Sequence, residues 1–228
     1  MPVPTVGRAP GAAPGWIVAA DLLAKTLLLL AVARVAIDPG WGNLEGKAPG
    51  TRAVTYPMLA LLVPVLHLAL GRTRPYPWGA DLLVTLPAFS DVLGNRLDLY
   101  DRVVWFDDAM HVAATCALSA GVLVLSGAAR LPLDRRLQLS VAAGLTMSLA
   151  WELWEYVAFV TRSGEAATAY VDTLGDLALG WLGAVLAALL LAVPGRSGRP
   201  VERTRAPRRR DLWPCTPAPP EGHRGGRT

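Results

Sequence analysis

Asp107 and His111 stand four residues apart near the start of an apolar run, and Asp108 precedes the same histidine by three. Two glutamates, Glu152 and Glu155, sit three apart inside "WELWEYVAF", and "YVDTLGD" places Asp172 four residues before Asp176. Spacings of three and four put the members of each set on one face of a helix. Carboxylates joined by one imidazole are ligands of Zn, Mn or Fe sites, and helix bundles present such ligands from pairs of this kind. A divalent metal ion is therefore the expected cofactor. His111, Asp107, Asp108, Glu152, Glu155, Asp172 and Asp176 are its candidate ligands, and Glu152 or Glu155 is the candidate general base. Two other readings fit the same residues: a relay for protons or cations, as in a transporter, and a purely structural polar network in a membrane scaffold. Neither cysteine ligands nor an H-E-x-x-H pattern favours the first over the others.

The elements that carry these residues are read from run length. The chain of 228 residues is 53% hydrophobic and 18% charged, with a mean hydropathy of +0.36. A membrane span needs roughly 20 mostly apolar residues. Six segments qualify: Trp16 to Ile37, Ala53 to Gly71, Gly79 to Gly94, Val104 to Ser126, Leu139 to Thr161 and Ala169 to Val193. The third is the weakest, being short and holding Asp81, Pro87 and Asp91, and a re-entrant segment is the alternative there. The expected fold is an all-α, polytopic membrane bundle of six helices over residues 16–193, between an N-terminal segment, 1–15, and a tail, 194–228.

Arginine and lysine collect on cytoplasmic sides. Six crossings with both termini in the cytoplasm put Arg8, Arg72, Arg74, Arg130, Arg135, Arg136 and the arginines of the tail inside, leaving Lys47, Arg52, Arg96, Arg102 and Arg162 outside. The plasma membrane is the expected location. Interfacial tryptophans agree, with Trp16 and Trp78 at inner ends and Trp41 and Trp105 at outer ones. Asp21 and Lys25 interrupt the first span where a secretory signal would be unbroken, so it reads as an uncleaved helix with an ion pair on one face. His67 reads as a hydrogen-bonded structural histidine. Cys116 and Cys215 give neither a disulfide framework nor metal-type spacing. The tail is rich in Pro, Gly and Arg and is expected to be disordered. Its "RAPRRR" run would either fix topology or attract anionic lipid; no folded basic module suggests nucleic acid.

Depth links the chemistry to the elements. At 1.5 Å per residue, His111 and Asp176 lie about 10 Å below the outer ends of their spans, Glu155 about 9 Å and Glu152 about 14 Å. Three helices thus bring their polar faces to one level. An ionised carboxylate at the centre of a span costs about 2.5–3.5 kcal/mol on the mildest scale, so these groups should face a cavity or one another. With Asp101 at the mouth there are seven acids, and only His111, with Arg34 or Arg102, is expected near them as a cation. Several acids must be protonated, or a cation must balance them.

Over about residues 98–190 the chain resembles the YjdF-type inner-membrane proteins of bacteria and, more distantly, the VanZ-like membrane proteins. The resemblance rests on Asp107-x-x-x-His111 at the start of one span, Glu152-x-x-Glu155 in the next, and Asp172-Thr173-x-x-Asp176 entering the last. Val112 stands where that family usually has an aromatic residue, and a Gly-Asp element before the Asp-Thr motif is absent. The resemblance implies an architecture and a site. It supplies no reaction.

Overall fold

In the computed structural model, residues 13–71, 75–158, 160–162 and 167–191 are described. Every regular element among them is helical: α1 (Gly15–Ile37), α2 (Pro49–Ala69), α3 (Trp78–Arg96), the single turn α4 (Leu99–Arg102), α5 (Phe106–Leu125), α6 (Leu133–Ala158) and α7 (Ala169–Leu190). The six long helices match the six expected segments. The tail, with Cys215, and most of the N-terminal segment lie outside the described residues.

Four of the six, α1, α2, α5 and α7, are long and apolar enough to cross a membrane by length and composition. Their outer faces present large apolar side chains, among them Leu30, Met58, Leu66, Leu68 and Leu190. So much exposed apolar surface suits lipid rather than water.

The third segment is a continuous helix, and its weak hydropathy has a physical reason. α3 packs against α1, α2 and α5 and buries Ala80, Asp81, Val84, Thr85, Ala88, Asp91, Val92 and Asn95. A helix covered by protein needs partners for its polar groups more than it needs a greasy surface. Asp81 is met by α1, where the Lys25 ammonium lies 2.8 Å from its Oδ1 and 2.6 Å from Asp21 Oδ1. Lys25 also donates to Thr85, and the Tyr76 hydroxyl donates to Asp81. The expected Asp21–Lys25 pair is present, as part of this larger network. Asp91 is met by α2, as described below. Pro87 in α3, like Pro57 and Pro64 in α2, leaves a backbone carbonyl short of a donor, which packed membrane helices tolerate.

The helices form two groups of three. α1, α2 and α3 pack on one another, α5, α6 and α7 do likewise, and the α3–α5 contact joins the groups. Within the second group small residues let backbones approach. A Cβ on Gly183 would collide with the Val112 carbonyl of α5, and one on Gly180 would collide with the Ser148 side chain of α6. Gly180 and Gly183 lie four and seven residues after Asp176, on the same helix face. The glycines therefore bring Asp176 close to both neighbouring helices. Arg136, at the start of α6, donates to the Leu191 carbonyl and ties down the C-terminal end of α7.

Candidate functional site

His111 sits one turn into α5, where Asp107 and Asp108 occupy the first turn and favour the helix N-terminus electrostatically. Its imidazole is nearly buried and faces three carboxylates from three helices. Nε2 lies 3.6 Å from Asp107 Oδ1 and 3.5 Å from Asp176 Oδ1 of α7, and Nδ1 lies 3.8 Å from Glu152 Oε1 of α6. All three separations exceed hydrogen-bond length. The side chains converge without bonding one another. Glu152 Oε1 is buried and has no hydrogen-bond partner among the described residues. The Thr173 hydroxyl, from the Asp-Thr motif, stands beside the same carboxylate.

Asp107, His111 and Asp176 each offer one ligand atom, all within 4.8 Å of one another. Glu155 and Asp172 do not join this set directly but line the same cavity, of about 670 Å³. Asp108 is exposed and does not line that cavity. Helix geometry explains the difference between neighbours: at 3.6 residues per turn Asp107 lies about 40° from His111 around the axis and Asp108 about 60° on the other side. Only the Asp107 side faces the cavity.

The opposite wall holds a group that sequence reasoning assigned only to topology. Arg52, at the start of α2, is buried and its Nε lies 3.0 Å from Asp91 Oδ2 of α3. Tyr56 donates to the same oxygen at 2.6 Å, and Tyr100 and Asn95 donate to Oδ1 at 3.2 and 3.3 Å. The Arg52 guanidinium also donates to the Lys47 carbonyl and lies 5.1 Å from the Trp154 ring centre and 6.0 Å from that of Trp151. "WELWEYVAF" thus presents one tryptophan pair to Arg52 and two glutamates to the cavity and histidine. Burial first, and then the Asp91 carboxylate, push the Tyr100 phenol above its ordinary range, so it remains a donor.

The charge balance expected from sequence changes accordingly. Arg34 pairs with Asp38 and Arg102 is exposed, so neither balances the acids. Arg52 pairs instead with Asp91, and Lys47 with Asp101. Asp101, at the mouth, lies 2.9 Å from Lys47 Nζ and accepts from Asn43, and hydrogen bonds from Lys47 hold its carboxyl below the usual range. These contacts satisfy Asp91 and Asp101. The acids around His111 have no such cation among the described residues.

The family model for the predicted membrane proteins called DUF2238 matches residues 21–196, which include α1 from Asp21 onward, every later helix and all of the site. The chain belongs to the DUF2238 family of membrane proteins. This is the YjdF-type family that the three motifs resemble, and the match extends the resemblance upstream to α1, α2 and α3. The Arg52–Asp91 network therefore lies within the DUF2238 region. The more distant VanZ-like resemblance finds no support in the comparisons. No curated protein and no solved structure matches the chain.

Proposed function

We propose that this DUF2238 protein binds one divalent cation at His111, Asp107 and Asp176, and that the site serves hydrolysis or group transfer on a lipid-linked substrate. The carrying observation is the spacing around Nε2. Donors bound about 2.0–2.1 Å from a tetrahedral ion stand roughly 3.4 Å apart. The two carboxylate oxygens stand 3.6 and 3.5 Å from Nε2, too far to bond it and close to that separation. Glu152 Oε1 stands 3.8 Å from the other ring nitrogen, on the side from which a carboxylate orients a ligating histidine once it closes to hydrogen-bond distance. Three protein ligands beside an open cavity are the arrangement of catalytic rather than structural sites.

Such an ion supplies a Lewis acid for a substrate oxygen. The chain supplies the rest. Glu155 reaches the cavity from the turn after Glu152 and is placed to take a proton from an attacking water or hydroxyl. α6 and α7 cover His111 and Asp176, while half-exposed Asp107 opens the site to the cavity. Charge asymmetry would place this end of the bundle on the outer side of the membrane.

Cobalt titration of chelator-treated protein tests the site, because Co²⁺ held by imidazole and carboxylate gives a visible absorption band. The band should appear at one equivalent in wild type and in Glu155→Gln, and be lost in His111→Ala. Release of a water-soluble headgroup from a lipid extract should need the ion and be lost in Glu155→Gln. A band in His111→Ala as strong as in wild type overturns the ligand set. Proton-dependent flux in proteoliposomes, with no band at all, favours the relay.

A further inference from the structure

The cavity beside His111 is polar at one end and apolar at the other. Lys47, Asp101, Asp107 and Asp172 stand towards the outer helix ends, whereas Leu59, Ala114, Leu118 and Met147 line the deep part, where the polar side chains, Thr115 and Ser148, bond each other. Leu118 is twelve residues beyond the start of α5, about 18 Å along the helix, and Leu59 is ten beyond the start of α2, about 15 Å. Half of a hydrocarbon core of about 30 Å is 15 Å, so the deep part reaches the middle of the bilayer.

The walls around it are not closed equally. α3 and α5 pack together and form the back of the cavity, but α2 belongs to one three-helix group and α6 to the other. Across that cleft the Arg52 guanidinium meets the faces of Trp154 and Trp151. On the outer surfaces of the same two helices, Leu62 and Leu66 of α2 and Leu149 and Leu153 of α6 are exposed where lipid would cover them.

We infer that the substrate of this site is an amphiphile that enters sideways from the bilayer, between α2 and α6, and lays its hydrocarbon chain along Leu59, Ala114, Leu118 and Met147 with its headgroup at His111 and Glu155. This deepens the lipid-linked reading given above and rests on it. A water-soluble substrate would have no use for an apolar passage that ends at mid-bilayer. Between α2 and α6 the closing contacts are made by side chains, Arg52 on Trp154 and Trp151 and Trp151 on the cluster that includes Tyr56 and Ala60, and an entering chain must displace them.

A phosphatidylglycerol carrying a diazirine midway along one acyl chain is the probe, with the full-length protein in nanodiscs. Irradiation should place adducts on Leu59, on residues 114–118 and on Met147. Those adducts should be lost in Ala114→Trp, and also in Leu59→Trp, which fills the same space from α2. Adducts confined to outward residues such as Leu62, Leu66, Leu149 and Leu153 in wild type overturn the inference whether or not either variant folds. So do inner adducts that persist in a folded Ala114→Trp. Metal content measured on the same samples separates the two proposals. Retained metal with outer adducts only removes lateral entry alone, whereas inner adducts without metal remove the cation and leave the passage.

Discussion

Replacing Arg52 by leucine removes the cation that faces Asp91 and leaves a carboxylate in the bundle with neutral donors only. The two side chains are 8% and 10% exposed, which makes the pair a buried one. Breaking such a pair from one side costs about 3–5 kcal/mol. Asp91 would keep Tyr56, Tyr100 and Asn95, and the adjoining cavity offers water, so the lower end, about 3 kcal/mol, applies. Loss of the guanidinium from the two tryptophan faces adds roughly 0.5–1 kcal/mol. Asp91→Asn should cost a similar amount by stranding Arg52. The double variant Arg52→Leu, Asp91→Asn strands no charge and should be no less stable than either single one, a coupling of at least about 3 kcal/mol. Equilibrium unfolding in mixed micelles, followed by tryptophan fluorescence, measures all four corners of the cycle. Costs that simply add, within about 0.5 kcal/mol, refute the reasoning, because they would mean that Arg52 and Asp91 do not share a site.

Three further outcomes follow from other contacts. Asp21 and Asp81 share one ammonium, so changing either to Asn should be mild in the same unfolding assay, whereas changing both strands Lys25 and should cost about 3 kcal/mol or more; equal effects of single and double changes contradict the shared pairing. Gly183→Ala puts a methyl against the Val112 carbonyl and should destabilise by about 1–3 kcal/mol while moving Asp176 away from His111, read as weakened Co²⁺ binding; wild-type binding and stability would show that α7 is not held there by close approach. At Asp101 the folded carboxyl titrates below the unfolded value of about 3.9, so the Lys47 contact contributes at neutral pH and is lost as pH falls through the folded value. The pair is partly exposed and worth roughly 0.2–1 kcal/mol, and Lys47→Gln should remove that increment at pH 7 and less of it as pH falls through the folded value; the reverse order contradicts the assignment.

The six helices were legible because a bilayer demands long apolar runs, and the level of the site because helical rise converts residue number into depth. His111, Glu152 and Asp176 meet where that arithmetic puts them. Arg52 and Asp91 were not recognised because their pairing joins residues 39 apart in the chain, and no local spacing records it. A signal did exist. Arg52 with Tyr56 and Asp91 with Asn95 are polar pairs four residues apart on apolar segments, the same pattern that marked Asp107 with His111. Reading Lys47 and Arg52 only as topology charges concealed it. The weakness of the third segment had the same origin, since Asp81 and Asp91 are tolerable once Lys25 and Arg52 are known to face them. Asp108 shows the opposite limit: a spacing of three places two residues near one face, but the neighbouring helices decide which of them is covered.

The central claim is that the convergence of Asp107, His111 and Asp176 exists to hold a divalent ion. Elemental analysis of the purified protein, wild type beside Asp176→Asn, tests it most directly. Close to one equivalent of a transition metal is expected in wild type and its loss in Asp176→Asn, with the helical content of both unchanged. Wild-type protein that carries no stoichiometric metal, and takes up none when zinc, manganese and iron are offered in turn, would contradict it.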